Sequence, residues 1–325
     1  MADIPITLSG ADYARLAPLM TGDVKPEGIE LTLLHGTGGS WTARARMLRR
    51  ALQDPEVQGG EASMAAHLRR IAEGDRSLVG LPVFPLRNFT ARDLYVLKGS
   101  AIEAPADLIG RRIGMYDWVA SGAIWYRHFL DFVGVPWRRV EWWIGDVEGG
   151  WRARHAATFP AGVHAVPEGR TLSEMLIAGD IDALYSPPRP SLYDPANGPI
   201  VRLFPEFRAI ERDYFRQTRC FPPQHLIVLR RAVWERDRSL ARRLTDAFVA
   251  ANRMFTEAQR NFPYVSPWLE AELEETAAVM GADFHADGYE PNRAQIDVFC
   301  RQAFDLRLTA RLIGAEEYFA DFLAS

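Results

Sequence analysis

The chain opens on alternating short apolar runs and longer stretches of helical spacing. "IPITLSG" carries a strand pattern, and "ADYARLAPLM" repeats its apolar positions at three and four residues. "GIELTLLHG" is a strand with glycine at both ends. "SWTARARMLRRALQDP" predicts a helix that starts at a serine cap and stops before Pro55, and "EASMAAHLRRIAEG" predicts another, closed by Gly74. "SLVGLPVFP" and "DLYVLKG" follow as strands. Residues 101–200 repeat the theme: strand "RRIGMY", helix 121–134, strand "VEWWIG", helix "TLSEMLIAG" and strand "IDALYS". A loop rich in Trp, Arg, His and Gly lies between Asp146 and Arg170, and the prolines of "PPRPSLYDPANGP" forbid a helix there. After "VRLF", a helix near 206–218 and the strand "HLIVLRR", the pattern turns helical over 237–262, 267–280, 291–305 and 309–324.

Strand–helix alternation predicts an α/β fold with helix-covered sheets. Chain crossings near 92–98 and 201–228 predict two lobes around a cleft, with 1–94 and 220–325 in one and 95–219 in the other. Such clefts hold small ligands.

Composition narrows the partners. A net charge of −4 over 325 residues is not that of a polycation, so nucleic acid is not the expected ligand. The start "MADIPITLSGADY" carries no secretory pattern, and no run of 18 apolar residues occurs. With only Cys220 and Cys300, a cytoplasmic protein is expected. Lys25 and Lys98 are the only lysines against 36 arginines. That leaves few amines for Schiff-base or pyridoxal phosphate chemistry and many planar forks for carboxylates.

Candidate chemistry is scattered. "HGTGGSW" has Trp41 where a dinucleotide fingerprint needs its third glycine. The seven histidines show no metal-ligand spacing, although a divalent ion held by separate segments stays open. In "GMYDWVASGAIWYRHFL" small residues stand where a strand enters a helix. Ser121 and Gly122 there either receive an anion on helix N–H groups or serve as a cap and tight packing. "EASM" is a parallel case, placing Glu61 at a helix start with Ser63 and His67 sharing a face. Arg87 and Phe89 in "FPLRNF" lie at the first crossing and His225 in "PPQHLIV" at the return; each reads as a ligand contact or as a structural residue.

Taken together, "VKPEGIELTLL", "GLPVFPLRNF", "PADLIGRRIGMYDW", "AIWYRHFL", "GRTLSEMLIAGDIDALYSPPRP", "LFPEFRAIERDYFRQT", "FPPQHLIVLRR" and "EPNR" resemble the 4,5-dihydroxyphthalate decarboxylases, relatives of the periplasmic substrate-binding proteins. The resemblance covers nearly the whole chain. It implies the type II periplasmic-binding-protein fold and a carbon–carbon lyase that decarboxylates a hydroxylated aromatic carboxylate without an organic cofactor. It implies acid/base work for His225 and Glu61; His67 lies where the family commonly has a tyrosine or another residue and is a third acid/base candidate from the chain itself. It also implies substrate contacts at Ser63, Arg87, Arg127 and Arg189, with Ser121 keeping the hydroxyl of the family's expected threonine; Gly122, Trp118 and Phe89 are expected beside them. Thr90 and Ala91 replace the family's usual Arg-His, and Gly59 replaces an acidic residue. These departures leave room for another substrate, or for a non-catalytic binding protein for an aromatic or other anionic ligand. A homo-oligomer also stays open.

Overall fold

The computed structural model describes residues 3–36, 38–149, 159–262 and 266–325. The chain divides into two compact units, residues 1–88 with 223–325, and residues 89–222. Part of the Trp- and Arg-rich loop, residues 150–158, lies outside the described residues.

The first unit is built on β1 (Ile4–Ser9), β2 (Ile29–Leu34), β3 (Gly59–Ser63), β4 (Leu78–Leu81) and a returning strand, His225–Arg230. Their order across the sheet is β2, β1, β3, the returning strand, then β4. β1 runs parallel to β2 and β3, whereas the returning strand is antiparallel to both of its neighbours. The C-terminal ends of β1 and β3 therefore meet the N-terminal end of the returning strand. In α/β sheets the carboxyl ends of parallel strands are where ligands bind.

Two glycines set the path of β3. A Cβ on Gly59 would lie 2.1 Å from the Val228 carbonyl oxygen, and one on Gly60 would lie 2.0 Å from that of Ser9. Gly60 also has φ +142°. No side chain fits at either position: the returning strand closes on Gly59, and β1 closes on Gly60.

The second unit holds β5 (Leu94–Leu97), β6 (Arg112–Met115), β7 (Glu141–Ile144), β8 (Val163–Ala165), β9 (Ala183–Tyr185) and β10 (Ile200–Arg202); the returning strand of the first unit is β11. They form a six-stranded sheet in the order β10, β5, β9, β6, β7, β8. β8 emerges from a segment the sequence pattern presents as loop. The helix Ser121–Phe132 buries Trp125, Tyr126 and Phe129, and Tyr126 stacks on Tyr185 at 3.9 Å between ring centroids. Burying aromatics of this size supplies much of a core's apolar area.

The helical C-terminal region is close to its expected bounds, with helices Leu240–Asn261, Leu269–Met280 and Arg293–Asp305. The single helix expected over 309–324 is instead two short ones, Ala315–Tyr318 and Ala320–Leu323. Gly314 begins the first of them, and Phe319 separates the two. No described helix is long and apolar enough to cross a membrane. Cys220 and Cys300 are both free and buried.

Candidate functional site

Glu61 is not at a helix start. It lies inside β3, and the following helix, Met64–Ala72, is capped by Ser63, whose side chain accepts from the Ala66 amide. The period-2 geometry of the strand decides what Glu61 meets. In the register, Glu61 pairs with Ile227 of β11, and His225 stands two residues before that partner. Two residues along a strand return to the same face, so the carboxylate and the imidazole are diagonal neighbours.

Glu61 is 1% exposed and surrounded by donors. The Ala11 amide donates to Oε2 at 2.9 Å, and the Tyr13 hydroxyl donates to Oε1 at 2.6 Å. His225 Nδ1 makes a short hydrogen bond to Oε1, and Arg44 Nη2 lies 3.4 Å from the same oxygen. Burial by itself raises a carboxyl pKa, but His225, Arg44 and Tyr13 outweigh it and hold Glu61 down at about 2. An ionised carboxylate only accepts, so Nδ1 of His225 carries the proton. Nε2 has no hydrogen-bond partner among the described residues and is the ring atom left for chemistry. Burial lowers the pKa of His225, Glu61 raises it, and Arg44 lowers it; the net direction is down. The ring is therefore neutral near pH 7, with a lone pair on Nε2. A base whose far nitrogen is oriented by a buried carboxylate is the arrangement that makes imidazole an effective proton acceptor.

Tyr13 and Arg44 complete the cluster, and the sequence reading singles out neither. Arg44 Nη2 donates to the Tyr13 hydroxyl at 2.8 Å and lies 3.3 Å from His225 Nδ1. Burial, and then Glu61, push the Tyr13 pKa well above its ordinary value, so Tyr13 stays a neutral donor. Arg44 comes from the helix Trp41–Gln53, which begins at the Ser40 cap. One turn earlier on that helix Trp41 lies against the Arg44 guanidinium, 5.4 Å from ring centroid to Cζ. The preceding glycine loop is tied down by Asp12, whose carboxylate accepts from the Gly36 and Gly38 amides. A visible signal was the cap followed by an aromatic and an arginine three residues on, immediately after a glycine-rich turn.

His67 does not join the cluster. It is 3% exposed, with neither ring nitrogen partnered, and packs edge-on against Tyr318 at 5.1 Å. A Cβ on Gly80 would come within 2.8 Å of its Nε2. Burial, with Arg70 and Arg76, lowers its pKa to about 3. A buried ring held neutral, packed on Tyr318 and apart from the Glu61–His225 cluster is a packing residue, in place of the acid/base group expected there.

Arg87 is likewise turned inward. Its Nη2 donates to the Ala286 carbonyl at 2.9 Å and to Asn292 Oδ1 at 2.7 Å, and its Cζ lies 4.8 Å from the Phe84 ring centroid. Being 7% exposed, it secures the C-terminal segment instead of presenting a fork to solvent.

In the second unit Trp118, Ser121, Gly122 and Arg127 are all buried. Arg127 is 0% exposed, donates to the carbonyls of Ala123 and Trp118, and lies 4.0 Å over the Trp118 ring. The Gly122 carbonyl accepts from Tyr185. Asp117 accepts from the Val119 and Ala120 amides, so the protein's own carboxylate meets the N–H groups just before this helix. Phe89 packs with Phe221 and Tyr214, whereas Arg189 is exposed above Tyr193. Among the described residues no group of three or more His, Cys, Asp or Glu is placed to hold a metal ion.

No family model matches the chain. Two curated proteins do. One, a 4,5-dihydroxyphthalate decarboxylase of Comamonas testosteroni, is 27% identical over 328 residues, covering 98% of this chain and 97% of the relative. The chain is similar to the 4,5-dihydroxyphthalate decarboxylases. A second of that name, from Pseudomonas putida, is 27% identical over 221 residues, covering 66% of this chain and 83% of its own. Among solved structures, a putative sulfonate-transporter periplasmic binding protein, SsuA of Methylobacillus flagellatus, aligns with TM-score 0.56 at 12% identity, covering 100% of this chain and 95% of its own. The periplasmic aliphatic sulphonate binding protein SsuA of Escherichia coli aligns with TM-score 0.51 at 15% identity, covering 98% and 92%. The fold is thus that of the periplasmic binding proteins, as the sequence resemblance implies.

Proposed function

We propose that this chain is a carbon–carbon lyase that removes CO2 from a hydroxylated aromatic carboxylate of the 4,5-dihydroxyphthalate class, leaving a dihydroxybenzoate. The observation that carries the reading is the buried Glu61–His225 pair, in a chain that matches decarboxylases along nearly its whole length.

Loss of CO2 from an arene needs electron density, and then a proton, at the carbon that bears the carboxylate. A phenol para to that carbon supplies the density once it loses its proton. Neutral His225 accepts that proton on Nε2, and the Glu61 carboxylate stabilises the imidazolium that forms. Tyr13 and the Ala11 amide keep Glu61 ionised and in place. Net, one proton from solvent replaces CO2 on the ring. The reading requires no organic cofactor, so activity is expected to survive dialysis; loss of activity with a chelator would mark a divalent metal held by separate segments. It places the protein in the cytoplasm, in keeping with two unpaired cysteines.

The test is to incubate the purified protein with 4,5-dihydroxyphthalate and follow CO2 and 3,4-dihydroxybenzoate. Turnover is the expected result. No turnover, with the ligand still raising the melting temperature, would favour the second reading, a binding protein for an anionic aromatic, which the shared binding-protein fold supports.

A further inference from the structure

We infer that Trp41 and Arg44 form the subsite that selects an aromatic acid: the indole stacks on the substrate ring, and the free nitrogen of Arg44 takes a carboxylate. The inference rests on the decarboxylase reading for its place beside His225, but it is a statement about recognition and is open to test without turnover.

Two independent observations support it. The first concerns Arg44. Its polar contacts, with Tyr13, Glu61 and His225, all run through Nη2, and among the described residues Nη1 has no hydrogen-bond partner. Its Nε is also buried without a hydrogen-bond partner among the described residues, whereas Arg112 engages Asp182 through both Nε at 2.9 Å and Nη2 at 3.0 Å. Arg44 spends one nitrogen on the catalytic cluster and keeps another for a carboxylate.

The second concerns Trp41. It is 47% exposed, although it is the first residue of a capped helix whose Ala43, Ala45 and Ala51 are buried. Its indole lies against the same guanidinium. One guanidinium therefore touches both an exposed aromatic ring and the imidazole of His225. A planar substrate bearing a carboxylate matches both features together: π-stacking on the indole and a charge-assisted hydrogen bond to Nη1. A saturated diacid matches only the second.

The experiment compares binding of two non-reacting probes to the wild-type protein, Trp41→Ala and Trp41→Phe by calorimetry. The probes are phthalate and cis-cyclohexane-1,2-dicarboxylate, which carry the same carboxylates on an aromatic and a saturated ring. The wild-type protein is expected to prefer phthalate by about tenfold. Trp41→Ala should remove that preference, and Trp41→Phe should restore most of it. With 4,5-dihydroxyphthalate, Trp41→Ala should raise KM about tenfold and leave kcat within about twofold, because stacking is the same before and during the reaction. Equal binding of both probes by the wild-type protein, binding of neither, or an unchanged preference in Trp41→Ala would overturn the inference. Absence of turnover alongside an intact phthalate preference would sink the decarboxylase reading and leave this subsite standing.

Discussion

Two buried carboxyl sites, one in each unit, have had their acidity pushed in opposite directions by their surroundings. Glu61 in the first unit is 1% exposed and is held at about 2. Asp93 in the second is 4% exposed, and Glu211 near it is 8% exposed; both are pushed up to about 7. Burial is the largest influence on all three and acts in the same direction. The difference lies in the donors. Glu61 has an amide, a phenol, an imidazole and a guanidinium around it. Asp93 has Oδ2 without a partner and Oδ1 3.5 Å from Arg92 Nε, with the negative charge of Glu211 nearby. Glu211 accepts from the Arg92 amide at 3.3 Å. A carboxylate that is to orient a base must be paid for in donors, and only the first unit supplies enough of them.

The largest test of this contrast is His225→Ala. It removes the base and a principal donor to Glu61 at once, so kcat should fall by about a thousandfold, within the range general bases contribute. Steady-state rates on 4,5-dihydroxyphthalate decide it. A loss under tenfold would discard His225 as the base.

Glu61→Gln is next. It keeps the shape and removes the charge, so kcat should fall by about a hundredfold, the low end of what acid–base catalysis contributes. It should also move the pH profile. In the wild-type protein the active form has His225 neutral, and its pKa lies below the ordinary imidazole value of about 6.5. Activity is thus lost on acidification, with the acid limb below that value. Glu61 is what raises His225, so in Glu61→Gln the limb should move to still lower pH. A limb that moves upward would contradict the assignment of Glu61 as the ionised partner.

Arg127→Ala extends the contrast to cations. Arg127 has carbonyl oxygens and an indole face for partners, and burial lowers its pKa to about 9. Arg44 instead shares its cluster with an ionised carboxylate. Truncating Arg127 leaves two carbonyls unpaired and a cavity, a cost of about 3 kcal/mol in denaturant unfolding. KM for folded protein should stay within about twofold. A KM raised more than tenfold without loss of stability would return Arg127 to the substrate contacts that the family resemblance implies.

Much of the fold could be read along the chain because periodicity and caps are local. The Ser40 cap, the Thr171–Glu174 capping box and the helices Leu240–Asn261 and Arg293–Asp305 declare themselves within a few residues. The short strand β8 does not, since three residues carry too little pattern. Glu61 was visible as a residue but misread in place. "GGEASMAAHL" looks like a helix start, and only the close approach of Ser9 and Val228 shows why two glycines force a strand first. Which side chains meet depends on register across 164 positions between Glu61 and His225. Sequence spacing within one element has no access to that, so neither Tyr13 nor Arg44 stands out along the chain, whereas Arg87 does by its place at a chain crossing and His67 by sharing a predicted helix face with Ser63.

The smallest expected effect is the most direct check on the second unit. Asp93 and Glu211 have folded pKa values raised above the ordinary carboxyl range of about 4. A raised folded pKa means that the folded state holds the proton more tightly than the unfolded chain does. The stability that this provides is complete below the unfolded pKa and is lost as pH rises through about 7. The melting temperature should therefore fall by several degrees between about pH 5 and about pH 8. Asp93→Asn keeps a neutral side chain of the same shape at every pH, so it should flatten much of that fall while leaving stability at about pH 5 within about 1 kcal/mol of the parent. A parent whose melting temperature rises over this interval, or an Asp93→Asn variant with the same slope, would show that these carboxyls find donors which their surroundings do not offer, and the contrast with Glu61 would fail.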